Sequence, residues 1–141
     1  MTTTIYKFGG AVVFILTLAC SSFVPAFSAD SESRLVMFDD EYCSWCRQWD
    51  EEIGVIYRFT PEHCQAPLKK IELGETLPDS IALREPVTYT PTFVLVVQGK
   101  EVDRIVGYPG EDFFWSMLDD MISNGIPENI REELAVRCEN G

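Results

Sequence analysis

Glu41-Tyr42-Cys43-Ser44-Trp45-Cys46-Arg47-Gln48-Trp49 sets two cysteines two residues apart where the periodicity of the chain changes. Ahead of it, Arg34-Leu-Val-Met-Phe38 is a short apolar run between charges, the pattern of a strand buried on both faces. Behind it, Trp45, Trp49, Ile53, Ile56 and Tyr57 fall on one helical face, with Asp50, Glu51 and Glu52 on the other. That helix is expected to stop near Thr60-Pro61, because the residue before a proline is pushed out of helical geometry. The cysteines thus sit where a strand hands over to a helix. Such a pair can be a redox couple, half of a metal clamp, or a permanent staple.

Position favours the first. Unpaired backbone N–H groups and the helix dipole stabilise negative charge at a helix start. Cys43 therefore gains as a thiolate, and Cys46, one turn further on, gains less. A thiol pKa lowered in this way underlies Cys-x-x-Cys redox chemistry. Cys43 is the expected attacking thiolate and Cys46 the thiol that resolves the mixed disulfide. Zinc calls for four ligands, yet His63 is the only histidine and no second Cys-x-x-Cys pair exists. No metal site and no cofactor are expected, although two thiolates alone leave a copper or heavy-metal carrier open. A purely structural bridge is disfavoured, since so small a loop constrains the unfolded chain little.

A chain of 141 residues accommodates one domain with a core. Its start has the three-part layout of a secretory signal: Lys7 in a short basic lead, the apolar run Phe8 to Val24, then Pro25-Ala-Phe-Ser-Ala29. A signal peptide over 1–28 and a mature domain over 29–141 are expected, with an uncleaved anchor as one alternative. A lipoprotein at Leu16-Thr-Leu-Ala-Cys20 is the other, but Thr17 replaces the usual bulky aliphatic residue and the apolar run continues past Cys20. Export places the domain in an oxidising compartment, where disulfides persist. The net charge of −12 argues against nucleic-acid binding, which needs a basic patch. Loss of Cys20 would leave Cys43, Cys46, Cys64 and Cys138, with three possible pairings. The short gap makes Cys43 and Cys46 the local pair and leaves Cys64 with Cys138, or both as free thiols.

Leu68 to Leu73 alternates and ends at Gly74, a second strand. Glu75 to Val87 reads as irregular, with room for a short helix at Asp79 to Leu83. Thr92-Phe-Val-Leu-Val-Val97 and Val102-Asp-Arg-Ile-Val106 flank a Gln98-Gly-Lys100 turn and form a β-hairpin. Glu111 to Ile122 is an amphipathic helix with acids in its first turn, and a shorter helix at Glu128 to Val136 leads to Cys138. A strand–helix–strand unit implies a parallel pair with a right-handed crossover. The expected architecture is α/β: a mixed four-stranded sheet with helices on both faces.

Cys-x-x-Cys at a helix start, followed by Thr90-Pro91-Thr92 before a hairpin, resembles the thioredoxin superfamily over essentially the whole mature chain. Tyr42-Cys-Ser-Trp-Cys46 with Trp49, Ala66-Pro-Leu68, Thr90-Pro-Thr-Phe93 and Gly107-Tyr-Pro-Gly-Glu-Asp-Phe-Phe-Trp115 are similar to SoxS-like periplasmic thioredoxins of sulfur-oxidation systems. The resemblance implies a thioredoxin-like fold with a cis Pro91 beside Cys43. It also implies that Thr90 offers its backbone to an extended substrate segment and that Gly107 belongs to the loop completing the groove. Trp45 and Tyr108 are expected on its exposed rim. The implied activity is thiol–disulfide exchange with reactive cysteines of partner proteins, as a reductase recharged by a membrane electron-transfer protein. A monomer is expected. The rival readings are an oxidant that inserts disulfides and a non-catalytic binding module. Met37 stands where cytoplasmic thioredoxins carry a buried Asp, which leaves Glu41 or water as the proton route from Cys46. Cys64 and Cys138 lie outside the family pattern and are expected to form a structural disulfide worth about 4 kcal/mol in chain entropy. His63 reads as solvated at a helix exit, and Phe113, Phe114 and Trp115 as mostly core.

Overall fold

In a computed structural model, which describes residues 33–139, the chain opens on β1 (Ser33–Asp39) at the centre of a sheet. The expected signal segment, and with it the choice between cleavage, anchor and lipoprotein, lies outside the described residues. Leu35, Val36, Met37 and Phe38 are all buried, as an interior strand requires. β1 is flanked by β2 (Leu68–Glu72), parallel to it, and by β3 (Thr92–Val97), antiparallel; β4 (Lys100–Val106) completes the order β2-β1-β3-β4. The mixed four-stranded sheet is therefore present as expected.

The helix after β1 is one rod in three parts: α1 (Ser44–Trp49), a π-helical stretch (Asp50–Gly54) and α2 (Val55–Tyr57). It buries Trp49, Ile53 and Tyr57 against the sheet, spaced four residues apart. A regular helix repeats every 3.6 residues, so a strict four-residue stripe drifts around it. The wider π turn takes up that drift. Trp45 and Ile56, placed on the same face by sequence, are exposed. Pro61 does not simply end a helix; it starts α3 (Pro61–Gln65), with the Thr60 hydroxyl accepting the His63 N–H. His63 thus lies inside a short helix, its ring edge-on to Tyr57 at 5.5 Å. It is not the solvated residue expected at a helix exit.

α4 (Glu111–Gly125) and α5 (Glu128–Glu139) follow the hairpin. Phe114, Leu118, Met121, Ile122, Ile130 and Leu134 from these helices join Trp49, Ile53 and Tyr57 over Leu35, Met37, Phe93 and Leu95. The opposite sheet face presents Val36, Phe38, Ile71, Val94 and Val96. The expectation of helices on both faces is corrected here. Among the described residues the second face is covered by the irregular segment 73–91, through Leu77, Ile81, Leu83 and Val87. No helix forms at Asp79 to Leu83. Gly74, Pro78 and Pro86 break the segment, and its backbone bonds go outward to β4: Ala82 donates to Gly99 and accepts from Glu101.

The aromatic run of α4 also divides. Phe114 is core, in edge-on contact with Phe93 at 4.8 Å, while Phe113 is exposed and Trp115 stacks on Tyr57 at the margin. Cys64 in α3 and Cys138 in α5 are joined by a disulfide.

Candidate active site

β1 ends at Asp39, and the turn that follows is shaped by Asp40. Its carboxylate accepts the Tyr42 N–H at 2.9 Å and its carbonyl accepts the Cys43 N–H at 3.0 Å. That turn delivers Cys43 to the N-cap of α1, where its Sγ accepts the Cys46 N–H at 3.0 Å. A sulfur thus occupies the capping position usually filled by a hydroxyl or carboxylate oxygen. Cys43 and Cys46 are joined as a disulfide. Cys46 is 1% exposed, whereas Cys43 is half-buried and flanked by Tyr42 and Trp45, 82% and 56% exposed.

The sheet brings the remaining residues to the same end. Phe38 pairs with Thr92, so β3 begins where β1 finishes, and Thr92 pairs with Val106 on β4. Thr90, Pro91 and Gly107 therefore flank the end of the sheet from which the cysteine turn emerges. The Thr90–Pro91 bond is cis. Gly107 donates its N–H to the Pro91 carbonyl at 2.7 Å. Its φ of +85° is one that residues with a side chain rarely adopt, which accounts for glycine there.

An acidic cleft of about 420 Å3 adjoins the turn after β1 on the β2 side, lined by Asp39, Asp40, Glu41, Arg47, Asp50 and Lys70 among others. Lys70 bridges Asp39 at 2.9 Å and Asp50 at 2.6 Å. Partial burial works against its charge, but the bonds to Asp50 and Asp39 outweigh that and raise its pKa. Arg47 reaches back to the Glu41 carbonyl at 3.3 Å. Among the described residues, no group of three or more His, Cys, Asp and Glu side chains is arranged to hold a metal ion.

A family model described as a thioredoxin-like domain matches residues 26–122. The chain belongs to the thioredoxin superfamily. Thioredoxin-1 of Saccharomyces cerevisiae is 31% identical over 80 residues, which is 57% of this chain and 75% of that protein. Thioredoxin H2 of Arabidopsis thaliana is 35% identical over 81 residues, 57% of this chain and 59% of that one. Among solved structures, the periplasmic thioredoxin SoxS from Paracoccus pantotrophus, in reduced form, matches with a TM-score of 0.63. The two are 45% identical, over 64% of this chain and 96% of the other. The chain is thus a SoxS-like member of the superfamily and a thiol–disulfide oxidoreductase with its Cys43–Cys46 pair at the junction just described.

Within this thioredoxin-like fold one expected rim residue is corrected. Tyr108 is 7% exposed, its ring edge-on to Phe114 at 5.9 Å and its hydroxyl donating to the Glu52 carboxylate. Burial and that bond push the Tyr108 phenol well above its ordinary range. The same bond, with a second from Gln48 at 2.9 Å, holds Glu52 below the ordinary carboxylate value. By sequence Glu52 falls among acids on the helix face opposite the apolar stripe, and nothing local announces a partner 56 residues away. Only the Gln48–Glu52 spacing of four was visible. Tyr42, quoted in the cysteine motif without a place on the rim, and Tyr89, 70% exposed beside Thr90 and outside the quoted motifs, are further aromatics at this end of the sheet. Met37 is fully buried, so β1 places no titratable side chain at that position.

Proposed function

We propose that this protein is exported, through the segment 1–28, to the periplasm and there reduces disulfides in partner proteins, with Cys43 as nucleophile and Cys46 as resolving thiol. The carrying observation is the asymmetry of the pair. Cys43 caps a helix at the surface, and Cys46 lies a turn deeper at 1% exposure. Backbone N–H groups at the helix start favour a thiolate on Cys43, and accessibility lets it reach a substrate.

The reduced protein begins with a Cys43 thiolate and a Cys46 thiol. Cys43 Sγ attacks one sulfur of the substrate disulfide; a mixed disulfide forms and one substrate thiolate leaves. Cys46 loses its proton to solvent and attacks Cys43 Sγ, which releases the second substrate thiolate and closes the Cys43–Cys46 bond. Two electrons pass to the substrate, and a membrane electron-transfer protein returns them. Thr90, Pro91 and Gly107 form the groove in which an extended substrate segment lies, with Trp45 on its rim. Residues 29–141 make up the mature domain, acting as a monomer. The apolar run Phe8 to Val24 and the periplasmic location of the SoxS relative support export.

Insulin reduction with dithiothreitol as electron source tests the mechanism. Cys43→Ser is expected to abolish turnover, and Cys46→Ser to accumulate a covalent complex that excess thiol dissolves. Full turnover by Cys43→Ser overturns the assignment. Direction is read from the reduction potential: about −270 mV matches a reductase, and about −120 mV an oxidant.

A further inference from the structure

Gln48, Glu52 and Tyr108 form a hydrogen-bonded chain that the disulfide chemistry above does not use. Glu52 stands on the π stretch of the cysteine-bearing helix, and its two oxygens take the Gln48 amide and the Tyr108 hydroxyl. Tyr108 directly follows Gly107, whose N–H is fixed on the Pro91 carbonyl at 2.7 Å. The chain therefore runs from the helix capped by Cys43 to the loop that closes the groove against Pro91. Core filling alone does not call for this arrangement. The Tyr108 ring already packs on Phe114, and a phenylalanine would bury the same ring without requiring a carboxylate opposite. A phenol bonded to a carboxylate is directional, and bonds to charged groups are the stronger kind.

We infer that Glu52 and Tyr108 are positioning residues, which hold the Gly107 loop at a fixed distance from the cysteine helix and so set the affinity for the partner's extended cysteine-bearing segment. The inference rests on the groove reading given under Proposed function. Neither residue touches the reacting sulfurs. Their effect belongs to substrate binding, shared by ground state and transition state, which moves KM and leaves kcat in place.

Tyr108→Phe keeps the ring and removes only the hydroxyl. With insulin as the disulfide substrate, its KM is expected to rise about tenfold with kcat within about twofold, the size of one hydrogen bond to a charged group. Amide exchange at Gly107 is expected to accelerate alongside. Glu52→Gln keeps an acceptor oxygen and falls between wild type and Tyr108→Phe. The double variant is no worse than Tyr108→Phe alone, since both remove one bond. An unchanged KM, a loss confined to kcat, or a raised KM with Gly107 exchange at the wild-type rate each overturns the inference. Failure of the groove reading is separable: Thr90→Arg, which would obstruct the groove, then leaves the insulin KM at the wild-type value. The positioning role fails by itself when Thr90→Arg raises KM and Tyr108→Phe binds insulin normally.

Discussion

Glu101 is a carboxylate on β4 that is almost wholly enclosed, and both of its oxygens are engaged. Arg104 grips it through Nε and Nη2, each at 2.6 Å, and the Arg84 backbone N–H adds a third bond at 2.8 Å. Enclosure alone would raise its pKa, but these partners outweigh it and hold the group below the ordinary carboxylate value. Glu101→Ala removes both short bonds to the half-enclosed Arg104 guanidinium and leaves it, as counter-charge, only the exposed Glu85 carboxylate at 3.8 Å. It is expected to cost about 3 kcal/mol of stability, read from the urea unfolding midpoint. Glu101→Gln, which keeps the shape and loses the charge, is expected to cost less. Sequence could not single this residue out: position 101 looks like one more polar residue after a turn, and although Arg104 is only three residues on, the enclosure and the Arg84 bond are known only once segment 73–91 is folded back over β4. The cysteines differ in this respect. Their role was legible because the strand and the helix that position them both adjoin them in sequence.

At the scale of elements, the helix after β1 was readable, and so was the four-residue spacing of Trp49, Ile53 and Tyr57. The π turn that satisfies the spacing was not, because hydrophobic pattern reports which residues are buried and not how the backbone brings them round. Gly54 fits this stretch closely: a Cβ there would lie 2.9 Å from Asp50 Oδ1 and 3.2 Å from the Trp49 ring. α3 was missed because Pro61 signals both the end of one helix and the first turn of another. The Cys64–Cys138 disulfide then ties that short helix to α5, across a sequence separation of 74. We propose a structural role for it. Cys64→Ser is expected to lower stability by about 4 kcal/mol in the chain-entropy account while insulin turnover persists. Paired urea titrations and turnover assays read both effects, and loss of turnover in the folded variant counts against a structural role.

For the whole molecule, two sets of titrations bracket stability. Glu52 and Glu101 have folded pKa values below 4.5, so their contribution is present above that value and is lost as pH falls through the lowered ones. Asp119 runs the other way, raised by burial, Glu62 and Asp120. Tyr57 and Tyr108 are held above 10.0, mainly by burial; their contribution is complete below that pH and is lost as pH rises through the raised values. Urea midpoints are therefore expected to plateau between about pH 5 and 10 and to fall on either side. Tyr57→Phe should shrink the alkaline loss, and an unchanged alkaline limb contradicts that attribution. The parallel β1–β2 pair and the β3–β4 hairpin followed from the strand–helix–strand and hairpin signals, whereas the antiparallel joining of β1 to β3 had no local signal. The cover of the second face did not, because a proline-broken segment has no periodicity to read. That irregular cover also bears on how the protein behaves in a crowd. An edge strand exposes unpaired N–H and C=O groups to any neighbouring chain. β4 is such an edge, yet the bonds from Ala82 to Gly99 and Glu101 occupy its first residues. The far edge, β2, carries Lys69 and Lys70, charges that discourage a partner strand. Both rims of the sheet are thus guarded against adding a strand, and the cysteine turn lies at the end of the strands, away from either rim.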